Sequence, residues 1–410
     1  MESFRSVFLA VFLGTALVAA AFLVNQRRPA VDTDRPTAEL VRATGACASC
    51  HRNETGAMVE QYERSAHHAA GVNCLQCHAP TGGQEAVEHR GFQIASALTA
   101  ANCAQCHTTQ YEQFLRSRHA APAYAAVRGP SAFSDAQVAF AEQYHPGAVD
   151  RPANELALLE GDAAIQSGCV ACHSVGRPNA DDSIGTCTQC HSRHQASVAL
   201  AREPRTCGQC HMGPDHSQLE IYEESKHGVL FASSHDEMNL AAPPDRLTVA
   251  DMPVPTCATC HMSGLEGAGV THDVTERLSW WLFAAESERR PTYLQGQAAM
   301  QGICNTCHAG SRTDAFYAAA EAVVADTNTK VAEATALVEE IRAEGLLTPA
   351  PFDETIEFVY FDLWHYFGRT AKHGAFMGGA DFVQWHGNYE LLAKMVELRE
   401  MAEALRASRR

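Results

Sequence analysis

The chain has 410 residues, of which 46% are apolar and 19% charged, a composition that is typical of a globular protein and excludes collagen-like and disordered classes. The formal net charge is -17, and no run of lysine and arginine is longer than two residues, so we expect no binding to nucleic acid. The unusual counts are 16 cysteines and 21 histidines.

The first predicted element is an apolar stretch of 18 residues from Val7 to Val24. A helix of this length reaches about 27 Å, which is near the thickness of the hydrocarbon core of a bilayer. We therefore predict that residues 1–30 form a membrane anchor. The alternative is a secretory signal segment that is cleaved near Ala19, Ala20 and Ala21.

All 16 cysteines lie in eight Cys-x-x-Cys-His motifs. Two thiols at this spacing can bond the two vinyl groups of one haem, and the adjacent imidazole can ligate the haem iron. Structural zinc does not call for a histidine after every second cysteine, and a disulfide framework would not place every cysteine in such a triplet. The sequence therefore predicts eight covalently bound c-type haems. The attachment residues are Cys47, Cys50, Cys74, Cys77, Cys103, Cys106, Cys169, Cys172, Cys187, Cys190, Cys207, Cys210, Cys257, Cys260, Cys304 and Cys307, and the proximal ligands are His51, His78, His107, His173, His191, His211, His261 and His308.

The motifs recur at irregular intervals, which argues against a solenoid of identical repeats. We predict one octahaem cytochrome domain over residues 31–310, in which short helices and loops wrap the haems and the haems supply much of the apolar core. Because bacteria attach such haems outside the cytoplasmic membrane, we expect this domain in the periplasm, anchored to the cytoplasmic membrane by the N-terminal segment.

Residues 311–410 are predicted to form a C-terminal helical region. Apolar residues recur at helical spacing over residues 316–344, over 356–367 ending at Gly368, and over 391–405. These helices either cap the haem domain or form a subunit interface. The predicted fold class is mainly α, a multihaem cytochrome c with a haem-packed core.

Thirteen histidines lie outside the motifs, and histidine is a natural second axial ligand for a six-coordinate haem iron. Eight irons can take at most eight of them, so at least five have another role. Ser65-Ala66-His67, Ser117-Arg118-His119 and Ser225-Lys226-His227 share one Ser-x-His pattern, which favours three of them as ligands.

Several segments resemble the octahaem cytochromes of the hydroxylamine oxidoreductase family, which are related to the cytochrome c nitrite reductases. They are the eight motifs, the segment from Cys207 to His216, Glu224-Ser225-Lys226-His227-Gly228, Thr271-His272-Asp273, His373-Gly374-Ala375 and Trp385-His386-Gly387. The resemblance implies a helical homotrimer with seven haems ligated by two histidines and one haem, the fourth in chain order, with an open iron site.

The resemblance assigns the open haem to Cys169, Cys172 and His173, with Asp215, His216 and Tyr317 lining its distal pocket. An imidazole beside a carboxylate can transfer protons, and a phenol can donate a hydrogen bond. The alternatives are that Asp215 and His216 are a surface acid and an ordinary distal ligand, and that Tyr317 is one ring of an amphipathic helix.

Distal ligands follow from the same resemblance. They are His67 (or His68), His89, His119, His194, His227 and His272, with the seventh among His235, His365, His373 and His386.

In oxidising members of the family, a C-terminal tyrosine of the adjacent subunit is bonded to the catalytic haem. The matching stretch here, Gly378-Gly379-Ala380-Asp381-Phe382, has phenylalanine at that place, although Tyr389, Tyr366 and Tyr360 are nearby. The resemblance therefore favours reduction of nitrite or hydroxylamine towards ammonia, with a periplasmic or membrane redox partner. The alternatives are oxidation of hydroxylamine or hydrazine and an electron conduit without catalysis; a sulfur-compound reductase is disfavoured because no Cys-x-x-Cys-Lys motif is present.

Overall fold

Short helices and long connections make up most of the described chain before residue 310. The computed structural model describes residues 38–408. The α-helices in this part are Ala38–Glu54, Gly56–Glu63, Ala66–Ala69, Cys74–His78, Ala100–Ala104, Thr108–Arg116, Ala121–Arg128, Asp135–Tyr144, Glu155–Glu160, Asp162–Ala164, Val170–His173, Val198–Arg202, Pro204–Gly208, Gln218–Glu224, Lys226–Ser234, Cys257–His261 and Tyr293–Cys304. Short 3-10 turns span Pro130–Ala132, Ser174–Gly176, Cys187–Gln189, His235–Glu237, Pro244–Arg246 and Leu265–Gly267.

The second haem motif illustrates how the sequence starts these short helices. The Asn73 side chain accepts a hydrogen bond from the Gln76 backbone N–H at 3.1 Å, and the Gln76 side chain accepts one from the Asn73 N–H at 2.7 Å. This reciprocal cap fixes the first turn of the helix Cys74–His78. Residues three apart lie on one helix face, so both thiols of the motif point to the same side.

Two small antiparallel hairpins interrupt the helices. Strand β1 (Ala86–His89) pairs with β2 (Phe92–Ala95), and β3 (Trp280–Trp281) pairs with β4 (Glu288–Arg289). The first hairpin carries His89 at the end of β1. The second carries Trp281, which packs against two arginines described below.

Three helices form the C-terminal region. The long helix is Gly310–Ala343. The kinked helix, residues 355–377, consists of Thr355–Phe361, a π-turn at Asp362–Gly368 and Arg369–Met377. The last helix, residues 380–408, consists of Ala380–Val383, a π-turn at Gln384–Tyr389 and Glu390–Ser408.

These three helices share one apolar core that includes the fully buried Val331, Ile341, Leu363, Leu391 and Leu398. The core draws on all three sequence segments that have helical apolar spacing. Packing of these faces, and not intrinsic propensity, supplies most of the stability of such helices.

The prediction that the second C-terminal helix ends at Gly368 is wrong, because the helix continues through the π-turn to Met377. A Cβ at Gly368 would lie 3.3 Å from the Leu363 carbonyl oxygen and 3.4 Å from a Val331 methyl. This glycine therefore permits close packing. The residue that ends the helix is Gly378, whose φ of 75° is left-handed.

Apolar clusters before residue 310 are small. One centres on Leu115, Val149 and Ile184, and another on Leu247 and Met252. Many of the other residues of this region line a continuous cavity of about 3790 Å³. The predicted fold class, mainly α with a core left for haems, is confirmed.

The predicted N-terminal membrane anchor, and the anchored periplasmic localisation drawn from it, are corrected. Within residues 38–408, no helix has the length and apolar character needed to cross a membrane. The stretch from Val7 to Val24, on which the prediction rested, lies outside the described residues.

Candidate haem and active sites

The eight motif histidines all line the one large cavity, together with 15 of the 16 motif cysteines. A pocket for one drug-sized ligand has a volume of about 300–1,000 Å³, so a cavity of about 3790 Å³ has room for several large ligands. The lining is rich in imidazoles and thiols, which are the groups that hold c-type haem.

Six motif histidines each face a second imidazole across this cavity. A metal–imidazole bond is about 2 Å long, so two imidazoles on opposite sides of one iron have ring centroids about 6 Å apart. The observed separations are 6.1 Å for His51 and His89, 6.3 Å for His78 and His194, 6.0 Å for His107 and His67, 6.4 Å for His191 and His272, 5.8 Å for His211 and His119, and 6.0 Å for His308 and His227. These spacings fit one haem iron between the two rings of each pair.

All six histidines that the resemblance names as distal ligands occur in these pairs. Of the two adjacent candidates, His67 faces a motif histidine, whereas His68 is exposed and packs edge-on against Tyr62. His194 follows the motif of His191 in the chain, but it faces His78, the motif histidine of a different haem site.

Burial keeps several of these imidazoles neutral, which is the form that binds a metal. Burial, with the charge of His211 second, lowers the pKa of His119 to about 3. Burial also lowers the pKa of His211, His261 and His272 to about 4 each. At neutral pH all four rings can therefore donate a nitrogen lone pair to iron.

Hydrogen bonds orient some of the motif imidazoles. Nδ1 of His51 lies 2.8 Å from Oγ1 of Thr55, and Nδ1 of His173 lies 2.5 Å from the carbonyl oxygen of Ala123. A hydrogen bond at Nδ1 leaves Nε2 free for the metal and fixes the ring.

Thiols of different motifs also lie near one another. The pairs whose thiols act on each other's charge are Cys103 and Cys187, Cys172 and Cys210, and Cys207 and Cys257. Haems attached at these thiols would lie close together, as electron transfer between them requires. The motif at Cys169 and Cys172 thereby adjoins the one at Cys207 and Cys210.

Two motif histidines, His173 and His261, face no second imidazole in this way among the described residues. Of the four candidates for the seventh ligand, His235 and His386 are exposed and contact Glu203 and Asp381. His365 and His373 are more buried, as described below. The seventh ligand stays a prediction.

Asp215 and His216 lie close together and near His173, as the resemblance implies. Nδ1 of His216 donates to Oδ2 of Asp215 at 2.6 Å. Burial lowers the pKa of His173, and the charges of His216 and Asp215 act on the same ring. Because Asp215 holds the proton on Nδ1, Nε2 of His216 is the nitrogen that can exchange a proton with a ligand.

His365 and Arg369 complete this cluster. Nη1 of Arg369 donates to Nε2 of His365 at 2.7 Å. Both groups approach Oδ2 of Asp215, at 3.9 Å from Nη1 of Arg369 and 4.0 Å from Nε2 of His365. One carboxylate oxygen therefore meets two imidazoles and a guanidinium.

Two π-turns position this site. The turn Ile165–Cys169 leads directly into the helix Val170–His173, and the turn Asp362–Gly368 carries His365. Single π-turns inside helices occur often at functional sites. Here the second turn precedes Arg369, which shares a helix face with His365 at a spacing of four residues.

Phe283 packs the site from one side. Its ring centroid lies 5.0 Å from that of His216 and 4.7 Å from that of His373, and its carbonyl oxygen accepts a 2.7 Å hydrogen bond from Nε of Arg369. Next to it, Nζ of the fully buried Lys372 donates to the carbonyl oxygens of Ala284 and Ala285. The kinked helix is therefore tied to this segment by two cations.

The charge states within the cluster follow from its geometry. Burial raises the pKa of Asp215, but the hydrogen bond from His216 and the charges of His216 and His365 outweigh it, so that the pKa lies below its ordinary value. Burial, and then the charge of Arg369, lower the pKa of His365 to about 3. At neutral pH the cluster therefore holds a carboxylate, a neutral His365 and the Arg369 cation.

Tyr317 does not contact Asp215 or His216. It is buried against Phe316 and Phe376 on the long helix and the kinked helix. Burial, with the charges of Cys304 and Cys260 next, raises its pKa well above the ordinary value. The structure thus brings Tyr317 to the motifs of Cys257 and Cys304.

Phe382 is buried within its own chain, where it packs against His386 and lies beside Gly374. Tyr389 is 52% exposed and packs at a tilt against Trp385. Phe382, which the resemblance places where oxidising family members have the cross-linking tyrosine, is therefore buried in this chain. Tyr389, seven residues later, is on the surface.

Sequence reasoning missed Arg369 and Phe283, and it considered His365 only as a haem ligand. The His365-x-x-x-Arg369 spacing on an amphipathic helix was the available signal for two polar groups on one face. Nothing local in the sequence indicates that this face meets Asp215, which lies some 150 residues earlier in the chain.

Comparisons with known proteins agree with this geometry. The family described as "Seven times multi-haem cytochrome CxxCH" matches residues 70–351, and "Cytochrome c554 and c-prime" matches residues 19–83. A probable nitrite reductase-hydroxylamine oxidoreductase fusion protein from Kuenenia stuttgartiensis is 28% identical over 197 residues. That match covers 47% of this chain and only 19% of the relative.

Two solved structures share the fold. A hypothetical multiheme protein aligns with a TM-score of 0.77 and 22% identity over 90% of this chain and 96% of its own. A reducing HAO-like protein complex from Kuenenia stuttgartiensis aligns with a TM-score of 0.69 and 20% identity over 89% and 86%. Because the multihaem cytochrome family model matches residues 70–351, more than half of the chain, the chain belongs to the multihaem CxxCH cytochromes.

Proposed function

We propose that this chain is an octahaem enzyme that reduces nitrite or hydroxylamine towards ammonia at the haem attached through Cys169 and Cys172. The observation that carries the proposal is the cluster of Asp215, His216, His365 and Arg369 beside a motif histidine, His173, that faces no second imidazole among the described residues. When bound, that haem supplies an open iron site and the electrons.

Proton delivery is assigned to His216. Each nitrogen–oxygen bond that is broken to release water consumes protons, so a reductive site needs a group that is refilled repeatedly. The carboxylate of Asp215 keeps the Nδ1 proton of His216 in place and leaves Nε2 to pass protons to the ligand. The same carboxylate stabilises the imidazolium that forms when His216 is reprotonated.

Arg369 is assigned to binding the anion. Its guanidinium is largely buried, with 12% of its side chain exposed, and its nearest carboxylate oxygen is at 3.9 Å, too far for a hydrogen bond. A largely buried cation whose carboxylate neighbour lies beyond hydrogen-bond distance can still attract a small oxyanion such as nitrite. The Nδ1 atom of His365 is also buried without a partner in the described structure, which leaves a further hydrogen bond for a ligand.

The reductive direction is supported by Phe382, because phenylalanine cannot form the bond to haem that oxidising family members have. It agrees with the names of two similar proteins, one a probable nitrite reductase fusion and one a reducing complex. We propose further that the chain forms a homotrimer and receives electrons from a redox partner; both proposals rest on the family resemblance.

The proposal is tested with haem-loaded protein, reduced viologen and either nitrite or hydroxylamine, with ammonia as the measured product. We expect turnover of at least one substrate. Turnover of hydroxylamine or hydrazine only with an electron acceptor would show that the enzyme works in the oxidising direction. No turnover of any kind would favour an electron conduit without catalysis.

The variant Arg369→Gln separates the two substrates. Nitrite is an anion and hydroxylamine is neutral near pH 7, so removing the cation should raise the KM for nitrite about 10- to 100-fold and change that for hydroxylamine little. Arg399→Gln, at an exposed ion pair with Glu333, is the matched control. Equal changes in both KM values would show that Arg369 has only a structural role.

A further inference from the structure

Two arginines stack on one tryptophan ring at the wall of the haem cavity. The guanidinium carbon of Arg118 lies 4.5 Å from the centroid of the Trp281 ring, and that of Arg290 lies 4.4 Å from the same centroid. Each contact by itself is an ordinary cation–π interaction. Together they bring two like charges to one side chain, which costs free energy unless an anion compensates them.

The described residues supply no such anion to Arg118. Its guanidinium is partly buried and forms no hydrogen bond or ion pair with any of them, and the other charges that act on it, those of Arg151 and Arg290, have the same sign. Both Arg118 and Arg151 line the haem cavity. The free edge of the Arg118 guanidinium is thus available to a ligand in the cavity.

Only some of the N–H groups of Arg290 have hydrogen-bond partners. Its Nη1 donates to the carbonyl oxygens of Thr275 and Leu278, but its Nε is buried without a partner in the described part of the chain. The charge of Asp273 acts on Arg290, but the two form no ion pair, and Oδ1 of Asp273 accepts two hydrogen bonds from Thr275. A neutral turn of carbonyl oxygens therefore holds the cation in place without neutralising it.

We propose that Arg118, held by Trp281 and Arg290, binds a propionate carboxylate of the haem attached at Cys207 and Cys210. His119, the next residue after Arg118, is the imidazole that faces His211 of that motif at 5.8 Å. Haem carries two propionates, and a guanidinium binds a carboxylate in a planar, bidentate way that a lysine ammonium cannot reproduce. The pair of cations raises the reduction potential of that haem, because positive charge favours the added electron.

The test is a potentiometric titration of the haem-loaded protein, followed by absorption and electron paramagnetic resonance, for Arg118→Gln beside wild type. Arg116→Gln, an exposed arginine two residues earlier, is the matched control. We expect one low-spin haem of Arg118→Gln to show at least a tenfold lower ratio of ferrous to ferric form at fixed poise, which is about 59 mV for one electron.

Arg118→Lys retains the charge and should recover most of that shift, which separates loss of charge from damage to the fold. An Arg118→Gln titration that coincides with that of Arg116→Gln would overturn the proposal. So would a shift that appears only when phosphate or nitrite is added to the wild-type buffer, because the site would then hold a free anion and not a propionate.

Discussion

Asp215 connects every charged group of the candidate active site through one oxygen atom. Oδ2 accepts from His216 at 2.6 Å and lies within 4.0 Å of both His365 and Arg369. Charge-assisted hydrogen bonds of this kind are stronger than neutral ones. The ionised carboxylate therefore contributes to folding as well as to the orientation of His216.

The contribution of Asp215 to stability depends on pH. Its pKa is lower in the folded protein than its ordinary value of 3.8, so the stabilisation is present above about pH 3.8 and is lost as the pH falls through the folded value. We expect Asp215→Asn to lower the free energy of unfolding by about 1–3 kcal/mol at pH 7, and the difference from wild type to shrink below pH 3.8.

This prediction is checked by guanidinium chloride unfolding, followed by circular dichroism, at several pH values between 3 and 7. Asp245→Asn, whose carboxylate is 77% exposed, serves as the control and should match wild type throughout. A deficit of Asp215→Asn that is the same at pH 3 and pH 7 would contradict the assigned charge state.

The kinked helix is the element that assembles the site. Its π-turn carries His365, the following turn carries Arg369, and Oγ1 of Thr370 donates to the carbonyl oxygen of Pro214 at 3.0 Å, next to Asp215. The helix is held from the other side by the shared core with the long helix and the last helix. Packing of the C-terminal region therefore positions His365 and Arg369 beside Asp215, which lies much earlier in the chain.

Leu398 of the last helix tests that packing. It is fully buried in the shared core, whereas Leu392 of the same helix is 50% exposed. We expect Leu398→Ala to lower the free energy of unfolding by about 2–5 kcal/mol, because it leaves a cavity in a close-packed core. Leu392→Ala should cost about 0.5 kcal/mol or less.

Denaturant midpoints of the two variants, each compared with wild type, give the measurement. If both leucines cost the same, the described core does not carry the stability of the C-terminal region.

The haem-attachment motifs were predictable from the sequence, whereas the candidate active site was predictable only in part. The Cys-x-x-Cys-His triplets are local chemistry, so spacing alone identifies the attachment residues. Asp215 and His216 are adjacent in the sequence and needed no long-range information. Arg369 and Phe283 reach the site only through tertiary packing, and no local pattern encodes which helix face meets which loop.

Tyr317 and Gly368 also show that a local sequence pattern does not determine which distant residues a side chain meets. A buried tyrosine on an amphipathic helix has the same sequence signature whether it faces Asp215 or the motifs at Cys257 and Cys304, where the structure has it. A glycine after an apolar run signals a helix end as readily as the close helix packing that Gly368 provides. Both outcomes depend on neighbours that are distant in sequence.

The proposed catalysis requires that the iron beside His173 has no second protein ligand. Electron paramagnetic resonance of the oxidised, haem-loaded protein, before and after addition of cyanide, measures this directly. We predict one high-spin haem signal that cyanide converts to low spin, and the loss of this conversion when Cys169 and Cys172 are replaced by serine. A fully low-spin spectrum that cyanide leaves unchanged would contradict the proposed catalysis.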